Sequence, residues 1–234
     1  MIEVYEATDI GCVRQTNEDS ELVFEPAVYV AADGMGGYAA GEVASRLLVD
    51  TVRGCLAGHD VIGTADLRDA VLAGNRSILN CVARHPEYQG MGTTATILHL
   101  ESGEARWAHV GDSRLYLLRD NELRQITRDH SYVEGLVARG TITREEARSH
   151  PKKNMLLRAV GIGSDLDVDT GSFPLADGDV FLLATDGLTN MVDDSSITAL
   201  LRIPESDPAK ALVAEARRCG GRDNITALVV KWHS

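Results

Sequence analysis

The stretch Val28-Tyr29-Val30-Ala31-Ala32-Asp33-Gly34-Met35-Gly36-Gly37 sets a carboxylate at the end of an apolar, β-like run and follows it with glycines. The pattern returns in Trp107-Ala108-His109-Val110-Gly111-Asp112-Ser113-Arg114 and in Val180-Phe181-Leu182-Leu183-Ala184-Thr185-Asp186-Gly187-Leu188. Two further segments, Arg14-Gln15-Thr16-Asn17-Glu18-Asp19 and Arg222-Asp223-Asn224, place acids beside turn-forming residues. Strand ends that carry carboxylates can meet at one rim of a sheet. Gathered there without a cation they would repel one another, and hard, oxygen-seeking ions such as Mg²⁺ or Mn²⁺ are the natural neutralisers. Each segment alone also reads as a common turn, because Asp-Gly and Asp-Ser are frequent turn dipeptides. Their number and order point to a metal-dependent enzyme.

Outward from these segments the chain alternates blocks of strands and blocks of helices. Val4 to Thr8 and Ala27 to Ala32 are rich in β-formers. Gly41 to Leu56 and Asp66 to Val82 repeat apolar residues at helical spacing. Strands are expected at Thr93 to Leu100, Ala105 to Val110, Leu115 to Arg119 and Leu123 to Ile126, with Asp120-Asn121 as a two-residue hairpin turn. Residues 132–160 break the β pattern. Tyr132 to Arg139 and Thr143 to Ser149 read as two short helices, the second capped by Thr143. Strands resume at Asp167 to Phe173 and Asp179 to Ala184. Asp207-Pro208 opens a last helix that Gly220-Gly221 ends, and Ile225 to Trp232 is the final strand. Strands and helices grouped in this way give an α+β fold with mainly antiparallel sheets.

The 234 residues suit one domain, 1–234, and no repeat or linker divides them. A net charge of -12 argues against a nucleic-acid surface, which needs a basic face. No apolar run approaches the ~20 residues of a membrane helix, and the acidic start Met1-Ile2-Glu3-Val4-Tyr5-Glu6 is no secretion signal. Cys12, Cys55, Cys81 and Cys219 form no C-x-x-C pair and read as small packing residues in a reducing, cytoplasmic setting.

In order and company these segments resemble the bacterial form of the PP2C (PPM) family of metal-dependent serine/threonine protein phosphatases. The stretches that carry the resemblance run from Gly11 to Thr226, and include Gly92-Thr93-Thr94 and Asp129-His130-Ser131 beside those already quoted. The resemblance implies a four-layer αββα sandwich, two antiparallel sheets face to face with helices outside each. It implies two Mn²⁺ or Mg²⁺ ions bridged by Asp33, with the Gly34 carbonyl on one ion and Asp186 and Asp223 on the other. Asp112, with Asp186, matches the position of a third ion. Glu18 and Asp19 would act through metal-bound waters, and Arg14 would grip the phosphate. The implied reaction is in-line attack on phosphorus by a water that bridges the metals, which would hydrolyse phosphoserine and phosphothreonine and reverse a serine/threonine protein kinase. Residues 132–160 match the family's variable flap.

One departure concerns Met35, where relatives often carry a His proposed to protonate the leaving oxygen. Methionine cannot do so, and His130 is a weak substitute that reads first as structural. The remaining expectations are phosphoprotein substrates, no nucleic acid, no membrane, and a monomer. Rival readings are a phosphatase dedicated to one regulator of the anti-sigma-antagonist kind, a pseudophosphatase that only binds a partner, and a calcium module. The acids are spread too widely along the chain for an EF-hand loop.

Overall fold

A computed structural model describes residues 1–37, 40–203 and 207–233. In chain order its strands are β1 (Ile2–Asp9), β2 (Asp19–Phe24), β3 (Val28–Met35), β4 (Gly92–Thr93), β5 (Ala95–Glu101), β6 (Glu104–Val110), β7 (Arg114–Arg119), β8 (Glu122–Gln125), β9 (Asp169–Pro174), β10 (Val180–Ala184) and β11 (Ile225–Trp232). The α-helices are α1 (Ala40–Leu56), α2 (Thr64–Arg84), α3 (Tyr132–Ala138), α4 (Arg144–Ser149), α5 (Asp186–Thr189), α6 (Asp194–Leu201) and α7 (Pro208–Arg218).

One sheet runs β1-β11-β10-β7-β8, the other β2-β3-β5-β6-β9 with β4 added against β3. Strands near the middle are apolar on both faces, as β11 and β10 show, because one face meets the opposite sheet and the other meets helices. Edge strand β1 instead alternates between exposed and partly covered residues. Tyr29, Leu98, Leu115, Phe181, Leu183 and Leu228 fill the space between the sheets. Outside the second sheet, α1 and α2 bury Leu48, Val52, Leu67 and Val71 against Val30 and Ile97. Outside the first, α6 and α7 bury Ile197, Leu201 and Leu212 against Leu182 and Val229. Four layers result, helix on sheet on sheet on helix, with every strand pair antiparallel among the described residues.

Local signals acted as their chemistry requires. Asp120 and Asn121 both hold positive φ, 50° and 66°, in the tight turn that joins β7 to β8. Thr143 caps α4 in a reciprocal box with Glu146, and Asp207 caps α7 ahead of Pro208. Residues 132–160 hold α3 and α4, where two short helices were expected.

Other expectations are corrected. β2 was not foreseen, since Asp-Ser-Glu-Leu-Val-Phe is too polar to announce a strand and owes its state to pairing with β3. The strand expected from Thr93 is broken at Thr94 into β4 and β5. Helices α5 and α6 were also not anticipated. Cys55 and Cys81 pack against the core as expected, but Cys12 and Cys219 are exposed. Among the described residues no helix is long and apolar enough to cross a membrane.

Candidate active site

The sheets bring acids from five distant segments to one end of the sandwich. Asp19 stands opposite Asp33 where β2 pairs with β3. Asp186 follows β10 and Asp223 precedes β11, and these strands are neighbours, so Ala184 lies across from Ala227. Asp112 sits in the connection from β6 to β7. Arg14 and Glu18 lie in the segment between β1 and β2.

The glycines beside these acids serve close approach more than turning. Gly34 lies within β3, and a Cβ there would stand 2.4 Å from the Glu18 carbonyl oxygen and 2.2 Å from that of Gly41. Gly187 lies within α5, where a Cβ would stand 1.9 Å from the Asn224 carbonyl oxygen. Asp33 sits inside a strand, and Asp186 is the first residue of a helix preceded by Thr185, whose hydroxyl goes to Asp19 and not to the helix end. A bare backbone at Gly34 and Gly187 lets the neighbouring segments press against both acids.

The electrostatics follow from this crowding. Burial raises the Asp33 carboxyl well above the ordinary carboxylate range, and Asp19, Asp186, Asp112 and Asp223 push it further the same way. Burial, then Asp186 and Asp129, raise Asp112, against the opposing pull of Arg114. Asp186 is pushed up to about 6 by burial and then by Asp223, with a hydrogen bond to Asp33 acting against the shift. Asp19 is raised to about 7 by burial, although the hydroxyls of Thr226 and Thr185 donate to its Oδ2 at 2.7 and 2.8 Å. Its Oδ1 is buried with no hydrogen-bond partner. Burial also raises Glu18, opposed by Arg14 and by the Gly41 N–H.

Arg14, on the exposed side, donates from Nη2 to Asp223 Oδ2 at 2.8 Å. Asn190, one helical turn beyond Asp186, donates to its Oδ2 at 3.0 Å. Lys153 of the flap segment lies near enough to lower the Asp186 pKa. A cavity of about 230 Å³ opens from Asp112 and Asp186 toward the flap segment and α6, lined also by Lys153, Glu134 and Asn190.

This donor set fits Mg²⁺ or Mn²⁺. It consists of carboxylate oxygens, one of them buried and unsatisfied, that disfavour one another's charged forms and would be relieved by a cation. Among the described residues no three His, Cys, Asp or Glu side chains are arranged to close on one ion. Ions that keep several waters need only one or two carboxylates each.

The structure gathers all the acids named from the sequence, with Arg14, at this end. It places His130 elsewhere. Its ring is buried beneath the Asp112 turn, where Nδ1 accepts the Gly111 N–H at 3.2 Å and Nε2 lies 3.2 Å from Asp169. Sequence reading missed Asn190 and Lys153. The spacing of Asn190 from Asp186 becomes a signal only when Asp186 is read as opening a helix.

The sequence matches the family described as Protein phosphatase 2C over residues 15–219. It is 39% identical over 235 residues to serine/threonine phosphatase stp of Listeria welshimeri, covering 96% of this chain and 93% of that protein. It is 43% identical over 227 residues to serine/threonine protein phosphatase PstP of Mycobacterium tuberculosis, covering 95% of this chain and 43% of that longer protein. The crystal structure of the PstP catalytic domain in complex with two manganese ions superposes with a TM-score of 0.92 at 38% identity, covering 100% of this chain and 99% of that one.

Proposed function

The chain belongs to the Protein phosphatase 2C family, and from that membership we propose that it hydrolyses phosphoserine and phosphothreonine in proteins with the help of Mn²⁺ or Mg²⁺. The observation that carries the reading is Asp33, half-buried and crowded by four other aspartates that destabilise its charged form. Support from outside this chain comes from PstP, one crystal structure of whose catalytic domain holds two manganese ions.

Asp33 would serve both ions, with Gly34 on one and Asp186 and Asp223 on the other. Asp112 beside Asp186 would take a third, and Glu18 and Asp19 would hold water around the pair. When bound, such ions supply an acidified water for attack on phosphorus and offset charge on the phosphoryl oxygens. The chain's own residues do the rest. The Arg14 guanidinium carries five N–H donors, and its contact with Asp223 uses one of them, so its fork keeps donors for two phosphate oxygens. Asn190 fixes the rotamer of Asp186 through Oδ2. Thr185 and Thr226 hold Asp19 by one oxygen and leave Oδ1 for water or a cation.

In this reading residues 1–234 are one catalytic domain with a flap at 132–160, acting as a cytoplasmic monomer on the phosphoprotein products of a serine/threonine kinase. The test is phosphate release from phosphothreonine and phosphotyrosine peptides, with Mn²⁺ and with chelator. We expect turnover of the phosphothreonine peptide with Mn²⁺ and none in chelator. Full activity of protein shown to be metal-free by elemental analysis would overturn the proposal.

A further inference from the structure

Strand β3 changes partners around Asp33. Up to Ala31 it pairs with β5, where Ala31 faces Thr96, and from Gly34 it pairs with β4, where Gly34 faces Thr93. Thr94 lies in the gap between β4 and β5 and takes over the hydrogen bonding there. Its hydroxyl accepts the Asp33 N–H at 2.8 Å, and its own N–H donates to the Asp33 carbonyl at 2.9 Å. A ladder break of this kind is where a sheet re-aims a side chain.

The same threonine supports the turn that carries Asp112. Thr94 Oγ1 and Ser113 Oγ lie 2.6 Å apart. Gly111 holds φ +110°, and a Cβ on it would stand 2.5 Å from Thr94 Cγ2, so the turn rests directly on this methyl. Thr94 thus touches the residue before Asp112 and the residue after it, while being 2% exposed. β3, which carries Asp33, and β6, which leads into the Asp112 turn, are not direct neighbours but are separated by β5, and these two acids repel. A single hydroxyl bonds to the main chain of one and to the turn of the other.

We propose that Thr94 is a positioning residue that sets the separation of Asp33 and Asp112, holding both carboxylates toward one cation cluster. The proposal rests on the metal-dependent reading above. Thr94→Val keeps the branched shape and deletes the hydroxyl. Thr94→Ser keeps the hydroxyl and deletes the methyl. Ser113→Ala cuts only the link to the Asp112 turn.

The experiment measures Mn²⁺ binding by calorimetry, kcat and KM on a phosphothreonine peptide, and the thermal midpoint, for the parent and the three variants. T94V should weaken Mn²⁺ binding and lower kcat, each by about 10–100-fold, the range found when a group that orients a metal ligand is removed. KM should change far less than kcat. T94S should recover most of the loss, and S113A should fall by about tenfold, the low end of that range. A T94V protein with a lowered midpoint but parental Mn²⁺ affinity and kcat per folded molecule would make Thr94 merely structural and overturn the proposal. So would T94S as damaged as T94V. If T94V does not fold, S113A decides by the same readouts, and a parental S113A overturns the proposal. A parent that neither binds Mn²⁺ nor releases phosphate brings down the phosphatase reading itself, and the role of Thr94 with it.

Discussion

Strand β10 begins one residue after Asp179 and ends two residues before Asp186. At the first end Asp179, fully buried, meets the guanidinium of Arg119, with Nε on Oδ1 at 2.7 Å and Nη2 on Oδ2 at 2.6 Å. The Ala176 N–H adds a third bond to Oδ2 at 2.9 Å. About 23 Å away, at strand spacing, Asp186 meets other acids in place of an arginine. Burial and then Asp223 raise its pKa to about 6, and the side-chain amide of Asn190 is its neutral donor. One strand therefore starts beside a satisfied ion pair and ends beside a cluster of mutually repelling carboxylates. Buried charge that a protein pairs within itself supports the fold. Buried charge left for an outside cation marks a site, at a cost to the metal-free fold.

Substitutions should separate the two ends. The largest effect is expected for Asp33→Asn, which removes the charge at the centre of the acid cluster. Its kcat with Mn²⁺ should fall ~10³-fold, the scale for loss of one strong electrostatic contributor. Activity within tenfold of the parent would break the comparison. Arg14→Ala should cost less, about 1.5–3 kcal/mol or roughly ten- to a hundred-fold in kcat/KM, while Mn²⁺ affinity stays near parental. Weakened Mn²⁺ binding with unchanged phosphate inhibition would make Arg14 a structural partner of Asp223 instead. Asp112→Ala should spare p-nitrophenyl phosphate more than a phosphothreonine peptide. The alkoxide leaving group of the peptide needs a proton that Met35 cannot supply, whereas nitrophenolate does not. Equal losses on both substrates would remove Asp112 from that role.

The acid end was largely legible from the sequence, because carboxylates beside turn and close-approach residues recur there in a fixed order. So were the hairpin at Asp120-Asn121 and the caps at Thr143 and Asp207, whose causes lie within a few residues. What was hidden depends on partners far along the chain. β2 is a strand because β3 pairs with it. Thr94 breaks a strand because Asp33, 61 residues away, takes its hydroxyl. Arg14 reaches Asp223 across 209 positions, a contact that no local pattern announces. His130 stands in the motif Asp129-His130-Ser131 yet supports Gly111 from beneath, and only burial separates that role from a catalytic one.

The acid end also sets a pH dependence. Asp19 and Asp186 have folded pKa values of about 7 and about 6, above the ~3.9 of an unfolded aspartate. In chelator the folded state then binds more protons across that interval. Their contribution to stability is full below about pH 4 and is lost as pH rises through about 6 to 7. Urea unfolding of the metal-free parent should show lower stability at pH 8 than at pH 5, and Mn²⁺ should erase the difference. A stability that rises across this range in chelator would contradict the crowding at that end.

The most direct measurement compares the two ends of β10 by urea unfolding at pH 8, using Asp179→Ala and Asp186→Asn in chelator and in Mn²⁺. Asp179→Ala should lose about 1.5–3 kcal/mol in both conditions, since it leaves charge-assisted bonds unmade. Asp186→Asn in chelator should be at least as stable as the parent, because it removes a repelling charge. Mn²⁺ should stabilise the parent by mass action, and Asp186→Asn much less. If Asp186→Asn is destabilised in chelator as much as Asp179→Ala, or if Mn²⁺ leaves the parent's unfolding curve unmoved, the acid end is an ordinary part of the fold and not a cation site.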